Sequence, residues 1–140
     1  MPLLDQDGRE ALLAEVRVAV LSVARSEGGP LAVPIWYEYR DGLLWMDTET
    51  SNLHGRLMQA RGRATLTVQD DQVPYRYVTA EGPVEFRGDE PEVARRIAVR
   101  YIGDEGAEQL LKETRPMYQP NAETAVLTPE RWWAAWFPAE

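Results

Sequence analysis

The stretch Ser51–Phe86, SNLHGRLMQARGRATLTVQDDQVPYRYVTAEGPVEF, decides how this chain reads. Ser51 or Asn52 can cap a helix whose apolar face is Leu53, Leu57 and Ala60, and Gly62 ends it. Arg63–Asp70 then alternates, with Ala64, Leu66 and Val68 on one side and Thr65, Thr67 and Gln69 on the other. That is the period of a half-buried strand. An Asp-Asp…Pro-Tyr-Arg-Tyr connection leads into a second long strand over residues 75–87, where Gly82-Pro83 points to a bulge or an edge position. A helix start carrying His54 and Arg56 sits directly ahead of this strand pair. Free backbone N–H groups and a partial positive charge make such a helix end a ready anion site.

Working outward, Asp7 and Glu10 have capping-box spacing for a short helix containing Ala11, Leu12 and Val16. Residues 16–24 are rich in β-branched side chains and read as a strand, closed by the Ser26–Pro30 turn cluster. Residues 31–40 form the next strand, with Val33, Ile35, Tyr37 and Tyr39 on one face. Asp41-Gly42 is a hairpin signal, and residues 43–48 return as the partner strand. Asp89 and Glu92 give a second capping box, ahead of a helix with Val93, Ile97 and Tyr101 on one stripe. Gly103 breaks that helix, residues 104–113 form a shorter one, and residues 124–127 and 131–137 are two final strands. About seven strands, mostly in hairpins, with three or four inserted short helices favour an antiparallel Greek-key barrel over a doubly wound sheet.

Composition narrows the function. The 140 residues fit one domain, residues 1–140, large enough to need no disulfide or metal staple. There are no cysteines, which removes thiol nucleophiles and cysteine metal sites together. A net charge of −8 argues against nucleic acid or an anionic membrane surface as the main partner. The N-terminal MPLLDQDGREALLAEV lacks the features of a signal peptide, and no run approaches the roughly 20 apolar residues of a membrane span. A cytoplasmic, soluble protein is the expectation. Five Trp and six Tyr suit a cofactor pocket, a subunit interface, or both.

Hydrolytic machinery is nearly absent: one histidine and no G-x-S-x-G leave little for a nucleophile–base pair. No metal motif is present, so neither a catalytic side chain nor a metal ligand is assigned. Asp70-Asp71 reads as a pair of solvated turn residues. The binding candidates are the helix start at Ser51, where Gly55 would permit a close ligand approach, and Val33-Pro-Ile-Trp-Tyr37. Pro34 cannot donate to a ladder, so it marks an edge or irregular point able to free backbone groups for a flat heterocycle. Ordinary capping and ordinary core packing are the competing readings of the two. Trp132, Trp133 and Trp136 fall on both faces of one strand, for core packing and a possible dimer contact.

In their order along the chain, Val33–Tyr37, Thr48…Ser51-x-x-His-Gly-Arg-Leu57, residues 62–70, residues 74–82 and residues 100–103 resemble one family. It is the flavin/deazaflavin oxidoreductases of the pyridoxamine 5'-phosphate oxidase-like, FMN-binding split-barrel superfamily. The likeness is to its small branch that binds coenzyme F420. The resemblance implies a mainly β, antiparallel Greek-key split β-barrel with short helices. It also implies a homodimer with cofactors in clefts at the interface. Pro34, Ile35 and Trp36 would lie along the ring, while Thr48, Ser51, Asn52, His54, Gly55 and Arg56 would hold the ribityl chain or phosphate. Hydride would pass directly from the ring to a small-molecule substrate. Where relatives commonly carry lysine, this chain has His54, so a fixed charge is lost while Arg56 retains one. An FMN-dependent reductase or oxidase, and a non-catalytic flavin, deazaflavin or haem binding or storage protein, are the alternatives on the same fold.

Overall fold

A computed structural model of the chain describes residues 2–137. The elements are α1 (Gln6–Ala14), β1 (Ala19–Val23), β2 (Leu31–Ile35), β3 (Glu38–Arg40), β4 (Leu43–Glu49), α2 (Leu53–Arg61), β5 (Arg63–Asp70), β6 (Tyr75–Phe86), α3 (Pro91–Tyr118), β7 (Ala122–Leu127) and β8 (Arg131–Phe137). The strand order is β2-β1-β5-β6-β7-β4-β3, with β8 also paired to β6, and every pairing is antiparallel. This is the curled, split-barrel arrangement the sequence implies.

Residues 51–86 form the spine. Ala64, Leu66 and Val68 are buried and meet Leu12, Leu21, Met46, Met58 and Val78 in the main core. β6 pairs with β5 along Arg76–Pro83 without a break in register. On its other edge, β6 pairs with β8 over Tyr75–Glu81 and with β7 over Val84–Phe86. Gly82-Pro83 is therefore the point where β6 changes partners, not a bulge. A Cβ on Gly82 would stand 1.8 Å from the Thr128 carbonyl oxygen, so only glycine lets the chains cross there.

The expected strand over residues 31–40 is split. β2 pairs with β1, β3 pairs with β4, and these two strands are opposite ends of the strand order. The cause lies far away in sequence. The Tyr37 N–H donates to the Tyr101 hydroxyl (3.1 Å), and the fully buried Tyr37 hydroxyl donates to the Leu13 carbonyl (2.8 Å). A ladder bond is thus exchanged for a phenol.

Other expectations shift by smaller amounts. Asp5, not Asp7, caps α1, its Oδ1 accepting the Gly8 N–H at 2.8 Å. β1 starts three residues later than expected, at Ala19. Glu90 precedes α3 without a side-chain cap, because the Asp89 carboxylate is taken by Arg115 and Gln119. Gly103 (φ 78°) does interrupt α3, but the second arm runs on to Tyr118. Asp70 is buried, held by Arg76 (2.6 Å) and Arg17 (3.4 Å), so it is a paired carboxylate and not a solvated turn residue. Asp41 and Gly42 both have positive φ (55° and 74°), as a two-residue hairpin requires. No helix among the described residues is long and apolar enough to cross a membrane.

Candidate functional site

The free edge of β2, the end of β4, the start of α2 and both arms of α3 enclose a cleft of about 430 Å³. β2 supplies Pro34 and Ile35, with Trp36 just beyond it. As an end strand, β2 leaves one line of backbone groups without a ladder partner. Trp36 is fixed by stacking on Tyr101, with ring centroids 4.7 Å apart and planes 10° from parallel. The Tyr101 hydroxyl in turn donates to the Arg17 carbonyl at 2.7 Å. Because α3 bends at Gly103, Ala94, Ile97 and Ala98 of its first arm and Leu110, Leu111 and Thr114 of its second both line the cleft.

Six of the nine sequence-derived site residues meet here: Pro34, Ile35, Trp36, Thr48, Asn52 and His54. Ser51, Gly55 and Arg56 do not line the cleft. Ser51 is exposed and its hydroxyl donates to the Glu49 carboxylate. The Arg56 guanidinium folds back onto the Ser51 carbonyl. Gly55 is buried, and a Cβ there would lie 2.1 Å from the Glu49 carbonyl oxygen. The close approach at Gly55 is therefore made by the chain itself, where α2 seats on the end of β4. Of the two possible caps it is Asn52 that acts, its Oδ1 accepting the Gly55 N–H at 2.7 Å.

Two acidic residues went unread in the sequence. Asp47 lines the cleft, and burial pushes its carboxyl up to about 6 against the opposing pull of Arg115, 3.4 Å away. Glu49 also lines it, 9% exposed, with its pKa held below the usual range by the Ser51 hydroxyl. Their signal was a pair of acids alternating through the end of a strand just ahead of a helix start. His54 is half-buried, and desolvation lowers its pKa despite the nearby Glu49, so the imidazole is neutral at neutral pH. Among the described residues no Arg or Lys lines the cleft. Thr48 is only 6% exposed, and its hydroxyl has no hydrogen-bond partner. An unpaired buried hydroxyl is costly, and this one is closed to solvent on the face of β4 that carries Leu44 and Met46, so it stands behind the cleft wall.

The sequence pattern of the pyridoxamine 5'-phosphate oxidase family matches residues 6–135. The chain belongs to this family. Members of the wider fold among solved structures agree. A conserved hypothetical protein from Mycobacterium tuberculosis superimposes with a TM-score of 0.75 at 21% identity, over 97% of this chain and 86% of its own. An F420 reductase gives 0.67 at 21% identity, over 89% and 95%. A FAD-binding protein from Mesorhizobium loti gives 0.65 at 19% identity, over 94% of each chain. Among curated proteins there is no significant sequence match.

Flavins and deazaflavins join a flat ring to a phosphate-bearing chain, and the two ends fit this cleft differently. The ring end fits: a free strand edge, a fixed indole and an apolar wall from α3 converge. The phosphate end does not fit, because the Glu49 carboxylate sits just ahead of α2 and, among the described residues, no Arg or Lys lines the cleft.

Proposed function

We propose that this protein seats the ring of a flavin- or deazaflavin-class cofactor between β2 and α3 and is an oxidoreductase acting on a small organic substrate. The observation that carries the reading is the free strand edge at Pro34–Ile35 in the same cleft as the stacked Trp36 indole. Family membership supports it, and coenzyme F420 is the cofactor to which the sequence motifs point, with FMN the second choice. When bound, such a ring supplies hydride transfer. The chain's part is to align the ring through Pro34, Ile35 and Trp36 and to exclude water with both arms of α3. Asp47, at about 6, is a lining group that can hold or release a proton near neutral pH. Val20 on β1 and Trp133 on β8 are exposed, as is Val18 in the cleft wall just ahead of β1, which supports a homodimer. The anionic start of α2 favours a second reading, in which a flavin, deazaflavin or haem is bound for storage without turnover.

The visible absorption spectrum of the purified protein comes first, followed by titration with F420 and FMN under Trp fluorescence. Saturable quenching is expected, since Trp36 borders the ring position. No quenching by either cofactor at high micromolar concentration would sink the proposal, and binding without turnover across electron acceptors would select the storage reading.

A further inference from the structure

An α-helix leaves its first N–H groups without partners inside the helix, and they attract an anion. At α2 the chain meets part of this need itself, with an acid placed just ahead of the Asn52 cap. Asn52 Oδ1 takes the Gly55 N–H, while Glu49 Oε2 takes the Ser51 N–H at 3.0 Å and also the Ser51 hydroxyl. We propose that Glu49 is a resident anion at the start of α2, so that the cleft accepts a ligand whose group at this point is a hydroxyl or ammonium and not a phosphate.

Three observations converge on it. The carboxylate is ionised at neutral pH, because the Ser51 hydroxyl stabilises its charged form. Its backbone is fixed, since the Glu49 carbonyl packs where a side chain at position 55 would be. Among the described residues no Arg or Lys lines the cleft to offset the charge: Arg115 behind it is paired with Asp47, His54 is neutral, and Arg56 spends its guanidinium on the Ser51 carbonyl. A hydroxyl or ammonium group can donate to Glu49, whereas a phosphate meets repulsion from it. The inference deepens the cofactor reading and rests on the cleft being a ligand site.

The test is a titration of ¹⁵N-labelled protein with inorganic phosphate near neutral pH, reading the amides of residues 51–55. Wild type should show no saturable shift into the millimolar range, while Glu49→Gln should bind phosphate at least about tenfold more tightly. Glu49→Ala serves if the glutamine variant fails to fold. Saturable binding to wild type as tight as to the variants would overturn the inference, and so would variants that gain nothing. In a parallel arm, wild type should bind riboflavin and FMN about equally, with Glu49→Gln shifting preference toward FMN by about tenfold. A strong wild-type preference for FMN would also overturn it. Failure of both flavins and of F420 to bind would sink the cofactor proposal and leave the phosphate result standing.

Discussion

Replacing Thr48 with valine exchanges the unpartnered hydroxyl for a methyl of similar size, and it should raise stability while leaving binding in the cleft unchanged. The hydroxyl is buried at the end of β4, on the strand that also carries the fully buried core residues Leu44 and Met46. A buried polar atom without a partner costs about 1–3 kcal/mol, so Thr48→Val should stabilise the ligand-free protein by about 1 kcal/mol. For a chain of this length that is about 3–5 °C in the thermal midpoint. Binding should not change, because the hydroxyl has no surface open to the cleft. The assay is thermal unfolding of both proteins without ligand, then fluorescence titration with the cofactor that binds wild type. A valine variant that melts lower without ligand would refute the reasoning, since it would show the hydroxyl already paired. A loss of affinity of roughly fivefold, the size of one neutral hydrogen bond, would show that the hydroxyl reaches the ligand and would refute its place behind the cleft wall.

Asp47→Asn tests the raised carboxyl. The folded state holds this proton more tightly than the unfolded chain, so ionising Asp47 costs stability as pH rises from about 4 through about 6. The asparagine variant should be more stable than wild type at pH 8 by about 1–2 kcal/mol, and denaturant midpoints should show the gain fading toward pH 4. A gain that grows on acidification would contradict the direction. Tyr101→Phe removes the phenol that accepts the Tyr37 N–H and donates to Arg17, and should cost about 1–3 kcal/mol in denaturant unfolding. Equal stability would mean that other groups hold the break between β2 and β3.

Local pattern made much of the fold legible. The alternation of Ala64, Leu66 and Val68, the Asp41-Gly42 turn and the Gly62 stop each follow from neighbouring residues. What escaped depends on distant partners. Residues 31–40 read as one strand because the Tyr101 phenol that breaks it lies 64 residues away. Asp70 read as solvated because Arg17 and Arg76 could not be seen to converge on it. In the cleft, Pro34, Ile35 and Trp36 were found through the oddity of a proline in an apolar strand. Ser51 and Arg56 were placed beside them by helix-end logic, yet their polar groups bond to the chain's own Glu49 and Ser51. That diversion cannot be read without knowing where Glu49 points.

The two free ends of the sheet, β2 and β3, belong to consecutive residues joined only by Trp36 and Tyr37. The gap in the barrel is thus spanned by a covalent clasp two residues wide, and the cleft lies beside it. A molecule lodged there would bridge the clasp, α3 and the end of β4 at once, tightening the least supported strands of the barrel. Amide exchange in β2 and β3 should therefore slow on binding more than in β5, which is already flanked on both sides. On this view the open seam is the part of the barrel that its ligand completes.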